Sequence, residues 1–205
     1  MDKLKKILKY DKKVMTFLNI ITIIGIITGS IFIVILNKGD KSLVINSIKQ
    51  FFSNLSKDKF DYILIFKNAI ISNTLFSFVI WIIGISVIGV IIVICILFYK
   101  SFTLGFTISS IIYTYKLKGI VLSIFYVFPH MIINILILLY LSSYSIKLSI
   151  ILIKSIIKKE NLNFKSFFNN YIQVLLISLI FIVISSLYES FISLQILKYI
   201  AKLLI

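Results

Sequence analysis

Residues Leu75–Ser149 read LFSFVIWIIGISVIGVIIVICILFYKSFTLGFTISSIIYTYKLKGIVLSIFYVFPHMIINILILLYLSSYSIKLS, and only Lys100, Lys116, Lys118 and Lys147 among them carry a formal charge. An uncharged run of about 18 residues or more is long enough to cross a bilayer as a helix. The stretch holds several turns of such sequence in succession. Small residues are spaced through it where helices would have to touch, and the chain's only proline, Pro129, is followed at once by its only histidine, His130.

The rest of the chain agrees. Hydrophobic residues make up 60% of the 205, and the mean hydropathy is +1.10. A soluble domain of this size requires far more polar surface. We therefore expect an all-α polytopic membrane protein: one membrane-embedded domain over 1–205, a bundle of five transmembrane helices with an amphipathic helix in the outer interface. The formal net charge is +15, and every basic residue is a lysine. These lysines are scattered over the arms and loops without a nucleic-acid-binding motif, so they are assigned to the lipid surface and to orientation rather than to nucleic acid.

Upstream, the basic arm 1–13 precedes 23 uncharged residues, Val14–Leu36. This run is too long for the core of a secretory signal and is read as a first span over 14–36, with the N-terminus in the cytoplasm. Gly25 and Gly29 within it form a GxxxG, a spacing that lets a second helix approach closely. The polar segment 37–67 then lies outside. Ile45, Ile48, Phe52 and Leu55 recur in it at helical spacing, and Lys57-Asp58-Lys59 makes a polar turn.

The second span is placed at 75–98, with Tyr99 and Lys100 as an aromatic and positive anchor at the inner surface. The next uncharged run, 101–115, measures about 22 Å as a helix against a hydrocarbon core of roughly 30 Å. It is read as a short tilted crossing, although a re-entrant hairpin is the alternative. Ser101, Gly105 and Ser109 give it a face of small residues. The fourth span is placed at 119–146, kinked at Pro129, whose ring excludes the carbonyl of Phe125 from its usual helical bond. A basic segment from Lys147 to Lys165 follows on the cytoplasmic side, with 148–157 along the inner interface. The fifth span is placed at 167–187, followed by an amphipathic tail that leaves the C-terminus outside the cell.

Few residues in these spans can carry chemistry. An ionisable side chain in the bilayer costs about 2.5–3.5 kcal/mol on insertion scales. His130 therefore needs a reason: either a neutral ring bonded to backbone opened by Pro129, or a proton relay. A relay requires an acid at similar depth, and the placement of the spans supplies none. Asn134, one turn on, cannot titrate. Glu189 is expected near the outer surface at the level of Lys67 and Asn68, either contacting them or exposed in the interface. Cys95 is expected to be a buried thiol. There is no HExxH, P-loop or paired-acid motif. No cofactor, metal site or catalytic set is expected, and the chain is read as no enzyme. The kinked fourth span leaves a small transporter or permease component as the alternative reading.

Several segments taken in order resemble the stage II sporulation protein M family. They are Trp81-Ile-Ile-Gly84-Ile-Ser-Val-Ile-Gly89, Phe98-Tyr-Lys100-Ser-Phe-Thr-Leu-Gly105-Phe106-Thr, Phe128-Pro129-His130 and Ser185-Ser-Leu-Tyr-Glu189-Ser-Phe-Ile192-Ser. Asn68, in Phe66-Lys-Asn68-Ala, matches an asparagine the family carries before its second span. Many wider relatives have Pro-His-Gly with a glutamate three residues on, where this chain has Met131 and Asn134, and a glycine where it has Ser101. The resemblance implies a non-enzymatic membrane scaffold of the engulfment machinery in spore formers. Its partners would be stage II sporulation proteins D and P, acting together in septal wall thinning at the cell membrane. The candidate structural and interaction residues are Asn68, Gly84, Gly89, Gly105, Ser109, Pro129, His130 and Glu189.

Overall fold

In the computed structural model the described residues are 12–56, 61–158 and 164–204. The arm 1–11, the Lys57-Asp58-Lys59 turn, and Lys159 and Glu160 of the basic segment lie outside the described residues. What is described is helical, without a strand: α1 (Lys12–Ile35), α2 (Lys38–Ser56), α3 (Tyr62–Gly84), α4 (Gly89–Tyr115), α5 (Leu117–Leu122), α6 (Phe128–Lys158), α7 (Phe164–Leu187) and α8 (Leu194–Leu204). A π-helical segment, Ser123–Val127, joins α5 to α6, and a second, Tyr188–Ser193, joins α7 to α8. Five stretches are long and apolar enough to cross a membrane: Lys12–Ile35, Tyr62–Gly84, Gly89–Tyr115, Leu117–Ile157 and Phe167–Ile200. This is the expected all-α polytopic arrangement.

The helix boundaries follow local chemistry. Asn37 starts α2 with a reciprocal cap: its Oδ1 accepts from the Asp40 backbone N–H at 2.8 Å, and its amide donates to the Asp40 carboxylate at 2.7 Å. Lys41 reaches back to the Val34 carbonyl at 3.0 Å and so satisfies an orphan acceptor at the end of α1. Asp61 starts α3 by accepting from Ile63 N and Leu64 N.

The second and third spans differ from the sequence expectation. The chain turns at 85–88, between Gly84 and Gly89, inside the stretch read as one span over 75–98. Lys100 is therefore no surface anchor; it sits within the 27-residue α4. Likewise 101–115 is the second half of that crossing and not a short element of its own. The expectation used charges as boundary markers, whereas the break is made by two glycines and a serine in an uncharged run. Residues 148–157 continue α6 and do not lie along the interface. The fifth stretch runs through the π segment to Ile200, so the presumed tail from Ser190 belongs to the bundle. Cys95 is exposed on the outside of α4, not buried.

Short connections alternate the five crossings and bring α8 back to the end where α2 packs. Leu18, Ile80, Val93, Leu97, Leu104, Leu141 and Val174 form the main core. At the α2 end a second cluster joins Phe52 and Leu55 to Ile111, Leu122, Leu194 and Leu197. The outward faces keep large apolar side chains exposed, among them Ile23, Ile31, Ile91, Leu136 and Ile180, which suits contact with hydrocarbon. α2 thus packs on the end of the bundle through the apolar positions its periodicity marks out.

The reversal between α4 and α5 rests on one residue. Lys116 has φ 54° and ψ −128° and is the one non-glycine with positive φ among the described residues. A side chain there is strained by about 1–3 kcal/mol. Lys116→Gly is expected to stabilise the protein by about 1 kcal/mol, read as a higher thermal midpoint in detergent. A lower midpoint would mean that the lysine's interfacial contacts outweigh the strain.

Candidate functional site

The sequence candidates divide into packing positions and a polar cavity. Gly25, Gly29, Ser101 and Gly105 close the seam between α1 and α4, the most extensive helix pair. A methyl group at Gly105 would overlap the Ile26 carbonyl, and one at Gly29 the Phe102 carbonyl. Ser30 Oγ donates across the seam to the Gly105 carbonyl at 3.3 Å. The small-residue face of 101–109 is thus occupied, at Gly105, within the chain. Ser109, one turn on, is half-buried.

Gly84 and Gly89 flank the α3–α4 turn. Added carbon at Gly84 would meet Tyr171 and Ser145, and at Gly89 the Ile83 carbonyl and Ser149. Helix ends leave carbonyls without intrahelical donors. Here hydroxyls from other helices supply them: Tyr171 OH donates to the Trp81 carbonyl at 2.8 Å and Ser149 to the Gly84 carbonyl at 2.9 Å, while Ser145 adds a bond to the Ile80 carbonyl at 3.2 Å, one residue deeper in α3.

The remaining candidates converge. A cavity of about 410 Å³ is walled by α3, α4, α6 and the second π segment, and Asn68, Asn73, Lys100, His130, Asn134 and Glu189 all line it. Counted at about 1.5 Å per residue from the ends of their spans, Glu189, His130 and Lys100 lie roughly 16, 20 and 22 Å below the α2 end, well inside the crossings.

Pro129 opens α6 directly after the first π segment. Proline has no N–H to donate, and the wider π turn before it gives room for its ring. The ring of His130 is then held by the carbonyl of Tyr126, one residue beyond Phe125, at 2.6 Å. Its other nitrogen, Nε2, faces Glu189 Oε1 at 3.8 Å. This corrects two expectations. Glu189 is not at the outer surface, and the acid that His130 was thought to lack stands opposite it on the fifth crossing. Asn68 lines the same cavity as Glu189, whereas Lys67 is exposed and does not line it.

Two serine bonds clamp the fourth and fifth crossings on either side of the pair. Ser185 donates to the His130 carbonyl at 3.3 Å and Ser193 to the Tyr126 carbonyl at 3.2 Å. Lys100 interacts electrostatically with Glu189, and its ammonium lies 3.6 Å from the ring centroid of Phe76, a cation–π contact. Asn134 Oδ1 is buried and has no hydrogen-bond partner among the described residues.

The sequence does not single out Tyr171, Ser145 or Ser149, and it marks Lys100 only as a surface anchor. For Lys100 the signal was present: it is the one charge between Asn68 and Tyr115. The serines and the tyrosine carry no such mark, because hydroxyls are common in membrane helices. No group of three or more His, Cys, Asp or Glu placed to hold a metal occurs among the described residues.

A family model described as Stage II sporulation protein M matches residues 17–194. Comparison with curated proteins and with solved structures found no match.

Proposed function

The chain belongs to the stage II sporulation protein M family, and from that premise we propose that it is a non-enzymatic scaffold of the engulfment machinery, recruiting peptidoglycan-remodelling proteins of the stage II sporulation D and P types to the septal membrane. Membership supports a sporulation-related membrane protein with several crossings. The recruiting role draws on one feature, α2. This 19-residue helix is fixed to the end of the bundle by Phe52 and Leu55, while Asn46, Ser47, Lys49 and Gln50 stay exposed. A helix anchored on one face and polar on the other is a docking element with its orientation already set. With the N-terminus cytoplasmic, that face is turned to the extracytoplasmic side, where cell wall is remodelled.

Asn46→Asp, Lys49→Glu and Gln50→Glu together are expected to lower recovery of both partners with the affinity-tagged scaffold at least tenfold, with insertion and yield unchanged. Engulfment should then stall with an unthinned septum under membrane staining. Full recovery and normal engulfment would overturn the assignment of α2.

The polar cavity favours a second reading, a small permease component. It predicts a flux in proteoliposomes that His130→Ala abolishes. No flux for the wild-type protein, together with normal engulfment by the variant, would remove it.

A further inference from the structure

The His130–Glu189 contact carries information beyond scaffolding, because the ring's hydrogen bond to a carbonyl fixes which nitrogen carries the hydrogen. His130 Nδ1 lies 2.6 Å from the Tyr126 carbonyl oxygen. A carbonyl only accepts, so the hydrogen is on Nδ1. In the neutral ring Nε2 is then a bare acceptor, and it is Nε2 that faces Glu189 Oε1 at 3.8 Å. An ionised carboxylate is likewise an acceptor only. Two acceptors therefore face each other beside a histidine that is 3% exposed.

We propose that His130 and Glu189 form an intramembrane proton-binding site that holds one exchangeable proton per chain and opens on the polar cavity. The proton resides on Nε2, giving an imidazolium beside a carboxylate, or on the carboxyl group, which then donates to Nε2. Either state satisfies both faces. The 3.8 Å separation is longer than a direct N–H···O bond, so the two groups must approach by several tenths of an ångström when the proton is shared.

The surrounding groups fit this role. From α4 only Lys100 brings a charge to the cavity; α3 contributes Asn68, Ser72 and Asn73, and α6 contributes Asn134. The Tyr126 ring packs against the imidazole at a centroid distance of 5.4 Å. With Lys100 as an ammonium, the site has no net charge without the proton and one positive charge with it. Asn68 and Ser72 line the cavity and are themselves exposed, which gives the proton a polar way in and out. The two serine clamps hold the backbones that carry the pair, so proton exchange need not wait on helix movement. Glu189 lies in a π-helical segment and His130 stands three residues after the end of another, and interruptions of this kind are frequent at functional sites.

His130 is the chain's only histidine, so its ring nitrogens give one unambiguous pair of signals. The full chain, purified on a tag without histidine and reconstituted in liposomes, is labelled with 15N at the imidazole and followed by NMR between about pH 4 and pH 9. At the alkaline end we expect the hydrogen on Nδ1 with Nε2 bare. Glu189→Gln is expected to move the midpoint of ring titration by at least about one pH unit, a tenfold change in proton affinity. A ring carrying its hydrogen on Nε2, or the same midpoint in Glu189→Gln, would overturn the proposal. A second measurement needs no variant. Dicyclohexylcarbodiimide attacks protonated carboxyl groups in apolar surroundings, and peptide mass spectrometry should place the adduct on Glu189 in wild-type protein, with labelling that declines as pH rises. Absence of that adduct across the whole range, together with an unchanged ring midpoint in Glu189→Gln, would overturn it.

Discussion

Gly105→Leu should insert into the membrane and fail to form the native bundle, and Gly29→Leu should do the same. Lipid tails are as apolar as the helices, so no hydrophobic drive holds α1 to α4; close packing and interhelical hydrogen bonds do. That packing is backbone on backbone. Carbon added at Gly105 meets the Ile26 carbonyl, and carbon added at Gly29 meets the Phe102 carbonyl. A flexible side chain can rotate away from such a clash, but a helical carbonyl cannot. Overpacking against movable side chains already destabilises by about 1–3 kcal/mol, and even alanine here should exceed the middle of that range. Leucine forces the axes apart and also removes the Ser30 hydrogen bond to the Gly105 carbonyl. Monodispersity on size exclusion and the thermal midpoint in detergent read the effect. Gly39→Ala is the control, since added carbon there only approaches Asn37 Oδ1 at 3.4 Å. A Gly105→Leu protein that is monodisperse and melts like wild type would show that the seam is dispensable.

That seam could be anticipated from sequence, because small residues four apart have a single physical meaning in a membrane helix: close approach. Gly25 and Gly29 on one helix, and Ser101 and Gly105 on another, were marked by spacing alone, although not as partners of each other. The amphipathic α2 was legible for a similar reason, as Ile48, Phe52 and Leu55 recur with the period of a helix face. Span ends were less legible. Charge was taken as a sign of the membrane surface, and for Lys100 that inference failed. Its ammonium is met inside the bundle by the Phe76 ring and a polar cavity, so it need not reach water. Lys100 as a boundary cuts α4 short and shifts α3 toward it, and the same rule applied to Glu189 ends the fifth crossing just before it. The acid facing His130 was then assigned to the surface. The site was missed through this error of register, while its residues, Asn68, His130 and Glu189, were already under suspicion.

Tyr171→Ala is expected to destabilise the opposite end of the bundle by about 3–5 kcal/mol, the usual range for removing a fully buried aromatic ring. Tyr171 is 0% exposed and stacks on Trp81 at 5.7 Å and 15°. Its hydroxyl donates to the Trp81 carbonyl and lies 2.7 Å from Ser145 Oγ. The Trp81 carbonyl needs that donor because the Ile85 N–H, its ordinary helical partner, turns to Ile82 as α3 ends. Tyr171→Phe keeps the ring and removes the donor. Hydrogen bonds between membrane helices are worth about 0.6 kcal/mol on average and about 1.7 at most, so phenylalanine should cost at most about half as much as alanine. The two variants therefore separate packing from capping at one position. Trp81 is the chain's only tryptophan, and its emission reports on this contact without added labels. Tyr171→Phe should leave the folded emission spectrum close to wild type and lower the thermal midpoint slightly. Tyr171→Ala should shift the spectrum and lower the midpoint severalfold more. If phenylalanine proves as damaging as alanine, the hydroxyl cap and not the ring holds the α3–α4 turn against α6 and α7. The glycines at 84 and 89 would then serve chiefly to bring the α3 carbonyls within reach of donors.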